Sequence, residues 1–307
     1  MERFVQFEAR AKINLSLRVV GRRPDGYHDL DSLMARLDLA DLVELDFEIS
    51  PDADALVVDN RLPAALPEGF DGPGNLALKA LAAYRAHHLW PERGVRIRLE
   101  KNIPFGAGLG GGSADCAAVL LMLNRAAPKP LPAAELAELG LSLGADVPFC
   151  LSGRVLARAE GVGERLSPPP AWAEAWQGRA LLLVKPDFEL STAEVFKKLG
   201  LTKTAADNNL GPVSGQGEEA IRHLSDGASL RLEPGPGEND LLAPALKLVP
   251  ALAETAEFIA GLKPEAWGLS GSGPTFWLCG SNLEADALAR LRPDWWIRAA
   301  AIGTKAA

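Results

Sequence analysis

Residues 102–117 read NIPFGAGLGGGSADCA, and the five glycines of this stretch all lie between Gly106 and Gly112. Glycine takes φ > 0 without steric cost and lets other groups approach the backbone, so successive N–H groups of such a run can point into one concavity. Ser113-Ala114-Asp115 reads as the start of a helix. Its free N–H groups and partial positive charge would face the same concavity, and the chemistry this favours is phosphate binding. A connection between a strand and a helix needs fewer glycines than this. The second candidate is Asp146, in Gly144-Ala145-Asp146-Val147-Pro148, a lone carboxylate among apolar residues. It could accept a proton from an alcohol, or it could cap a helix.

Two familiar phosphate motifs do not fit. Gly106, Gly108 and Gly111 spell G-x-G-x-x-G. A dinucleotide fold, however, needs a buried parallel strand before the loop and a second strand after the helix. VRIRLEK (95–101) alternates Val95, Ile97 and Leu99 with Arg96, Arg98 and Glu100, so it has a wet face, and the residues beyond the loop read as helix, AAPKPLP and another helix. A P-loop needs lysine where Gly112 stands.

The elements that must carry these residues are legible in outline. VQFEARAKINLSLRVV and LVELDFEI (42–49) read as strands, with a Pro24-Asp25-Gly26 turn between them. Helices are expected over 75–89 (Asn75 as N-cap; Leu78, Leu81, Ala82 and Leu89 near one face), about 113–123, 132–143, 192–200, 248–262 and 284–292. ALLLV (180–184) reads as a buried strand, SGSGPTFWLCG (270–280) as a turn entering a strand, and WWIRAAAI as the last strand; 211–219 and 233–240 read as long loops. No βαβ unit is expected. SPPP (167–170) is the clearest break in composition, which divides the chain into 1–166 and 167–307.

A length of 307 residues is about two domains' worth. A net charge of −8 argues against a nucleic-acid surface, which needs clustered Lys and Arg. No apolar run is long enough for a membrane span, and the N-terminus lacks the apolar core of a signal peptide. Cys116, Cys150 and Cys279 are far apart, so neither a zinc ribbon nor a disulfide framework is expected, and a cytoplasmic setting is. His87, His88 and His223 read as solvated helix positions, and no metal-binding cluster is expected.

Four segments fit one pattern: ARAKINLSLRVVGRRPDGYHDLDSL (9–33), PFGAGLGGGSADCA, LGADVPFCLSG (143–153) and GLSGSGPTFW (268–277). Together they resemble the galactokinase–homoserine kinase–mevalonate kinase–phosphomevalonate kinase (GHMP) superfamily. AKINLSL, PDGYH and GADVPF resemble the branch that phosphorylates the 2-hydroxyl of a cytidylylated methylerythritol in the non-mevalonate route to isoprenoid precursors. The resemblance implies an α+β fold with an N-terminal domain like ribosomal protein S5 domain 2 and a ferredoxin-like C-terminal domain. The first would bind ATP and carry the catalytic groups, the second would contribute to substrate binding, and the active site would lie between them.

The same resemblance implies roles for residues. Asp146 would be the general base, and Lys12, in an apolar strand where a lysine often only snorkels to water, would stand beside it and stabilise the alkoxide and transferred phosphoryl group. Pro104, Gly106, Ala107, Gly108, Gly110, Gly111, Gly112 and Ser113 would cradle the phosphates of ATP, with Mg²⁺ arriving on the nucleotide and held mostly by phosphate oxygens and water. Asn14 would contact substrate. Tyr27 would stack on the cytosine, His28 would bond its edge, and Phe196 would cover its other face. Gly271-Ser272-Gly273 would approach the site, and Asp115 is expected to cap its helix. Ala107, Cys116 and KPDFEL before STAEVF depart from the family's usual residues. Competing readings are a sister kinase for homoserine, mevalonate or a sugar, and a catalytically silent binding protein on the same fold.

Overall fold

The computed structural model describes residues 4–47, 54–88, 90–91, 94–200, 236–281 and 283–303. The expected loop 211–219, part of 233–240, Leu89, His223 and the end of the 42–49 strand lie outside these residues. The described chain forms two compact units, each discontinuous in sequence: 1–12, 36–105 and 110–154 in the first, 13–35, 106–109 and 155–307 in the second.

Strands β1 (Phe4–Arg22) and β2 (His28–Asp46) contribute to both units and pair with each other. A strand buried on both faces normally reads as an apolar run. In β1 the odd positions from Ala9 to Val19 are buried and apolar, while the buried even positions are Lys12, Asn14 and Ser16. That buried polar face needs partners from elsewhere in the fold. The turn between the strands forms as its residues dictate: Gly26 N–H donates to Arg23 O at 3.1 Å, with Gly26 at φ 91°.

In the first unit, β3 (Ala55–Asn60), α1 (Leu76–His88) and β4 (Arg96–Lys101) follow. β4 lies antiparallel to β2, with Val43 opposite Leu99, and parallel to β3, with Val58 opposite Leu99. The segment β3–α1–β4 is therefore a βαβ unit, which corrects the expectation that the chain has none. The signal was faint because ALVVDN alternates on an edge strand that is largely solvated. Asn75 does cap α1, its side chain accepting from Ala77 N–H at 2.9 Å. The buried stripe of α1 is Ala77, Ala80, Leu81 and Tyr84, and Ala82 is exposed instead.

Helices α2 (Gly111–Ala126), α3 (Ala133–Leu143) and α4 (Val147–Leu151) complete this unit. α2 begins two residues earlier than Ser113 and carries the buried row Ala114–Leu120 with Met122 and Leu123, packing on α1 and on Val43, Leu45, Ile97 and Leu99.

In the second unit, β5 (Leu156–Gly161) pairs antiparallel with residues 30–35 of β2 and with β6 (Arg165–Ser167). Past the 3₁₀ turn Ala171–Trp176 come β7 (Ala180–Lys185), α5 (Thr192–Leu199), α6 (Leu242–Leu248), α7 (Ala251–Gly261), β8 (Ala266–Leu269), β9 (Phe276–Cys279), α8 (Ala285–Leu291) and β10 (Trp296–Ala301). The sheet order β10–β7–β9–β8, antiparallel throughout, is that of a ferredoxin-like βαββαβ fold. β8 and α6 are too short to give a periodic signal. The chain is α+β, as expected.

Candidate active site

In the first unit three elements bring Lys12, Gly110 and Asp146 together. Lys12 Nζ lies 3.1 Å from Asp146 Oδ2, with the lysine side chain 5% exposed and the carboxylate 30%. Asp146 sits at the N-cap position of α4 yet makes no capping bond, so its carboxylate turns to Lys12 rather than to the helix. The capping alternative is thereby removed. The stem of Lys12 is pressed under the end of the glycine loop: a β-carbon on Gly110 would stand 2.8 Å from Lys12 Cγ. Gly110 has φ 67°, which an L-side chain rarely adopts, and it forms the N-cap of α2. The first turn of α2, Gly111 to Ser113, has no acidic residue of its own to offset the positive dipole end of the helix. Ser113 Oγ is 3.7 Å from the β-carbon position of Gly144, which places the GAD turn beside that helix start.

Arg36 braces α4 from its other end. Its guanidinium donates to the carbonyl oxygens of Phe149 at 3.1 Å and Cys150 at 2.8 Å. Burial is the main cause of its lowered pKa. Burial also pushes the Cys150 thiol up to about 12, so at neutral pH this cysteine beside the Lys12–Asp146 pair is a neutral thiol.

Asp115 does not cap α2. It is buried in the second turn, where its Oδ2 accepts from Lys101 Nζ at 2.8 Å, and Lys101 also bonds Asp41. Desolvation is the largest cause of its pKa, which stands at about 7. Neither Lys101 nor Asp41 was singled out in the sequence. The signal was present in the strand periodicity, because Lys101 continues the buried phase Val95, Ile97, Leu99 and Asp41 that of Leu37, Leu39, Val43 and Leu45.

In the second unit the front of the glycine loop meets the second glycine turn. Gly106 and Gly108 have φ 61° and 74°. A β-carbon on Gly108 would lie 2.3 Å from Ser270 O and 2.9 Å from Gly273 O, so no larger residue fits there. Ser270 Oγ donates to Gly108 O at 2.9 Å. Asn239, not recognised in the sequence, holds this turn by donating to Leu269 O and Gly271 O at 2.8 Å each. Ala107 is buried and not among the positive-φ residues, so alanine is accommodated at this position of the loop. Pro104 precedes the loop, in the first unit.

Asn14 is buried and donates to Ser32 Oγ at 2.7 Å, and Ser32 in turn donates to Ser16 O. Trp277 Nε1 donates to the Asn14 carbonyl at 2.9 Å. His28 and Phe196 are brought together, their rings stacked at 4.8 Å and 24°. Burial and, less, Arg22 lower the His28 pKa, so its neutral ring is favoured. Tyr27 is 63% exposed on the turn. Among the described residues, no helix is long and apolar enough to cross a membrane.

A glycine cradle ending on a helix N-terminus, a lysine–carboxylate pair beneath it and a ferredoxin-like second unit define the GHMP class of kinase. Residues 75–154 match the family model described as GHMP kinases N terminal domain. The chain is 39% identical over 304 residues to 4-diphosphocytidyl-2-C-methyl-D-erythritol kinase of Cereibacter sphaeroides, covering 95% of this chain and 97% of that one. It is 36% identical over 268 residues to the kinase of that name from Geobacter sulfurreducens, covering 87% of each. A solved structure of 4-(cytidine 5'-diphospho)-2C-methyl-D-erythritol kinase superposes with TM-score 0.69 and 34% identity, covering 97% of this chain and 100% of that one. A homoserine kinase from Cytophaga hutchinsonii shares the fold at TM-score 0.61 but only 15% identity. With 39% identity across nearly its whole length, the chain belongs to the 4-diphosphocytidyl-2-C-methyl-D-erythritol kinase family, whose members are ATP-dependent kinases.

Proposed function

We propose that this protein transfers the γ-phosphate of ATP to the 2-hydroxyl of 4-diphosphocytidyl-2-C-methyl-D-erythritol, a step of the non-mevalonate route to isoprenoid precursors. The observation that carries the reading is the 3.1 Å contact of Lys12 with Asp146 directly beneath Gly110. An alcohol is a poor nucleophile, and Asp146 Oδ, partly open to solvent, is free of a capping role and suited to take its proton as the new P–O bond forms. Once the carboxylate is protonated, the Lys12 ammonium is left to stabilise the negative charge gathering on the transferred phosphoryl group.

Gly106, Gly108, Gly110, Gly111, Gly112 and Ser113, with Pro104 and Ala107, would hold the phosphates through backbone N–H groups. Mg²⁺ is a hard cation that keeps water and phosphate oxygens as ligands, and the Ser113 hydroxyl, in the first turn of α2, is a donor of the right kind to join them. When bound, the ion neutralises phosphate charge. Asn14 would orient the alcohol, and Tyr27, His28 and Phe196 would hold the cytosine. On this reading residues 1–166 carry the nucleotide and catalytic groups, and 167–307 contribute to substrate binding.

Coupled ADP release tests the reading, comparing the cytidylylated methylerythritol with mevalonate, homoserine and galactose. Turnover of the first alone is expected. Turnover of one of the others and not the first would assign the protein to a sister kinase, and turnover of none would favour the silent binding protein.

A further inference from the structure

The cluster of Lys101, Asp41 and Asp115 is buried, ionic and unused by the chemistry above. Lys101 is 3% exposed, Asp41 0% and Asp115 2% at their side chains. Asp41 does more than pair with Lys101: its Oδ1 accepts from the backbone N–H groups of Asn102 at 2.6 Å and Ile103 at 2.9 Å. It thus holds the segment that leaves β4 and enters the glycine loop. On the far side of the loop, Asp115 reaches back from α2 to the same Lys101 ammonium. Gly111, the first residue of α2, fits between them: a β-carbon there would stand 3.0 Å from Ile103 Cγ2 and 3.5 Å from Lys101 Nζ. One ammonium ties the entrance of the loop to its exit.

Stability alone does not account for this arrangement. Burying ions is expensive, and apolar side chains of similar volume would hold a helix on a strand at least as firmly. The second carboxylate adds a further cost, visible in Asp115 Oδ1, which has no hydrogen-bond partner among the described residues. What an ion cluster supplies and an apolar contact does not is a single register, since the bonds form at one separation only.

We propose that Lys101, Asp41 and Asp115 are positioning residues for phosphoryl transfer, fixing the two ends of the glycine loop so that the N–H groups of Gly111, Gly112 and Ser113 converge on the nucleotide's phosphates. The inference rests on the glycine loop being the phosphate cradle.

Asp115→Leu tests it, because it cuts the link to α2 while leaving Lys101 neutralised by Asp41. KM for ATP is expected to rise about tenfold, with the KM of the alcohol substrate unchanged and Asp115→Asn, which still accepts from Lys101, within about twofold of the parent. The rise should appear equally in the Kd for ADP by calorimetry. Asp115→Leu with the parent's ATP affinity, both KM values moving together, or Asn behaving as Leu would overturn the proposal. Should the leucine variant not fold, Lys101→Arg carries the same comparison, since it keeps the charge and lengthens the bridge.

Gly112→Asp separates this from failure of the cradle itself. Within 4 Å its β-carbon would meet, among the described residues, only Leu76 Cδ1 at 3.4 Å, and the carboxylate would oppose a bound phosphate. Unchanged ATP affinity in that variant would remove the cradle. Lost affinity there, with Asp115→Leu binding as the parent does, would remove the positioning role alone.

Discussion

Gly110 and Lys12 are in contact so close that a β-carbon on the glycine would lie 2.8 Å from Lys12 Cγ and 3.0 Å from its Cε. The residue that closes the glycine loop and the lysine read as stabilising phosphoryl transfer are therefore packed directly against each other. Gly110→Ala must both adopt φ 67° and displace the lysine stem. The conformational strain alone is about 1–3 kcal/mol. The variant is expected to have a lower melting temperature and a kcat reduced further than the fraction unfolded explains. Thermal denaturation and active-site titration would check both; unaltered kcat per folded molecule would show that Lys12 is not held by the loop.

Asp146→Asn keeps the size of the side chain and removes its capacity to take a proton. A loss in kcat of about 10²–10⁴ is expected, the range that general bases contribute. The ATP Kd should change little, because Asp146 faces Lys12 rather than the helix N-terminus. An asparagine variant turning over at the parent rate would eliminate Asp146 as the base.

Phe196 stacks on His28 at 4.8 Å in the described structure. Loss of a base-stacking aromatic costs about 1–3 kcal/mol, so Phe196→Ala should raise KM for the cytidylylated substrate about 5- to 150-fold. KM for ATP should stay where it is. Equal changes in both constants would place Phe196 in the core alone.

Burial raises the Asp115 carboxyl from 3.8 to about 7. In the unfolded chain the proton leaves near the lower value, so between these two pH values the folded protein holds a proton that the unfolded one has released. Protonation of Asp115 thus contributes stability that is full below about pH 4 and is lost as the pH rises through about 7. Asp115→Asn has no such proton to lose. Its melting temperature relative to the parent should climb between pH 4.5 and 7.5, and a difference that stays flat or falls would mean that Asp115 is ionised in the fold.

Local pattern made much of this protein legible. The glycine run, the PDG turn, the Asn75 cap and the ferredoxin-like helices α5, α7 and α8 follow from backbone chemistry acting over a few residues. Where the reading erred, the deciding contact was distant. The β3–α1–β4 crossover depends on an edge strand with little apolar surface. Asp115 resembled a cap because Ser113 looked like the helix start, whereas Gly110, in the left-handed region, begins α2 earlier.

The sequence by itself determined that a glycine run leads into a helix, since glycine spacing and a following helix are properties of consecutive residues, and it is this pattern that suits a phosphate. It also carried the resemblance that singled out Lys12 and Asp146. Tertiary structure alone decided that these two residues, far apart in the chain, meet at 3.1 Å, and that Asp146 leaves its helix uncapped to do so. It alone joined Lys101 to Asp41 and Asp115. A charge on the buried phase of a strand states only that a partner is needed; which residue answers is settled by how strands register and helices pack.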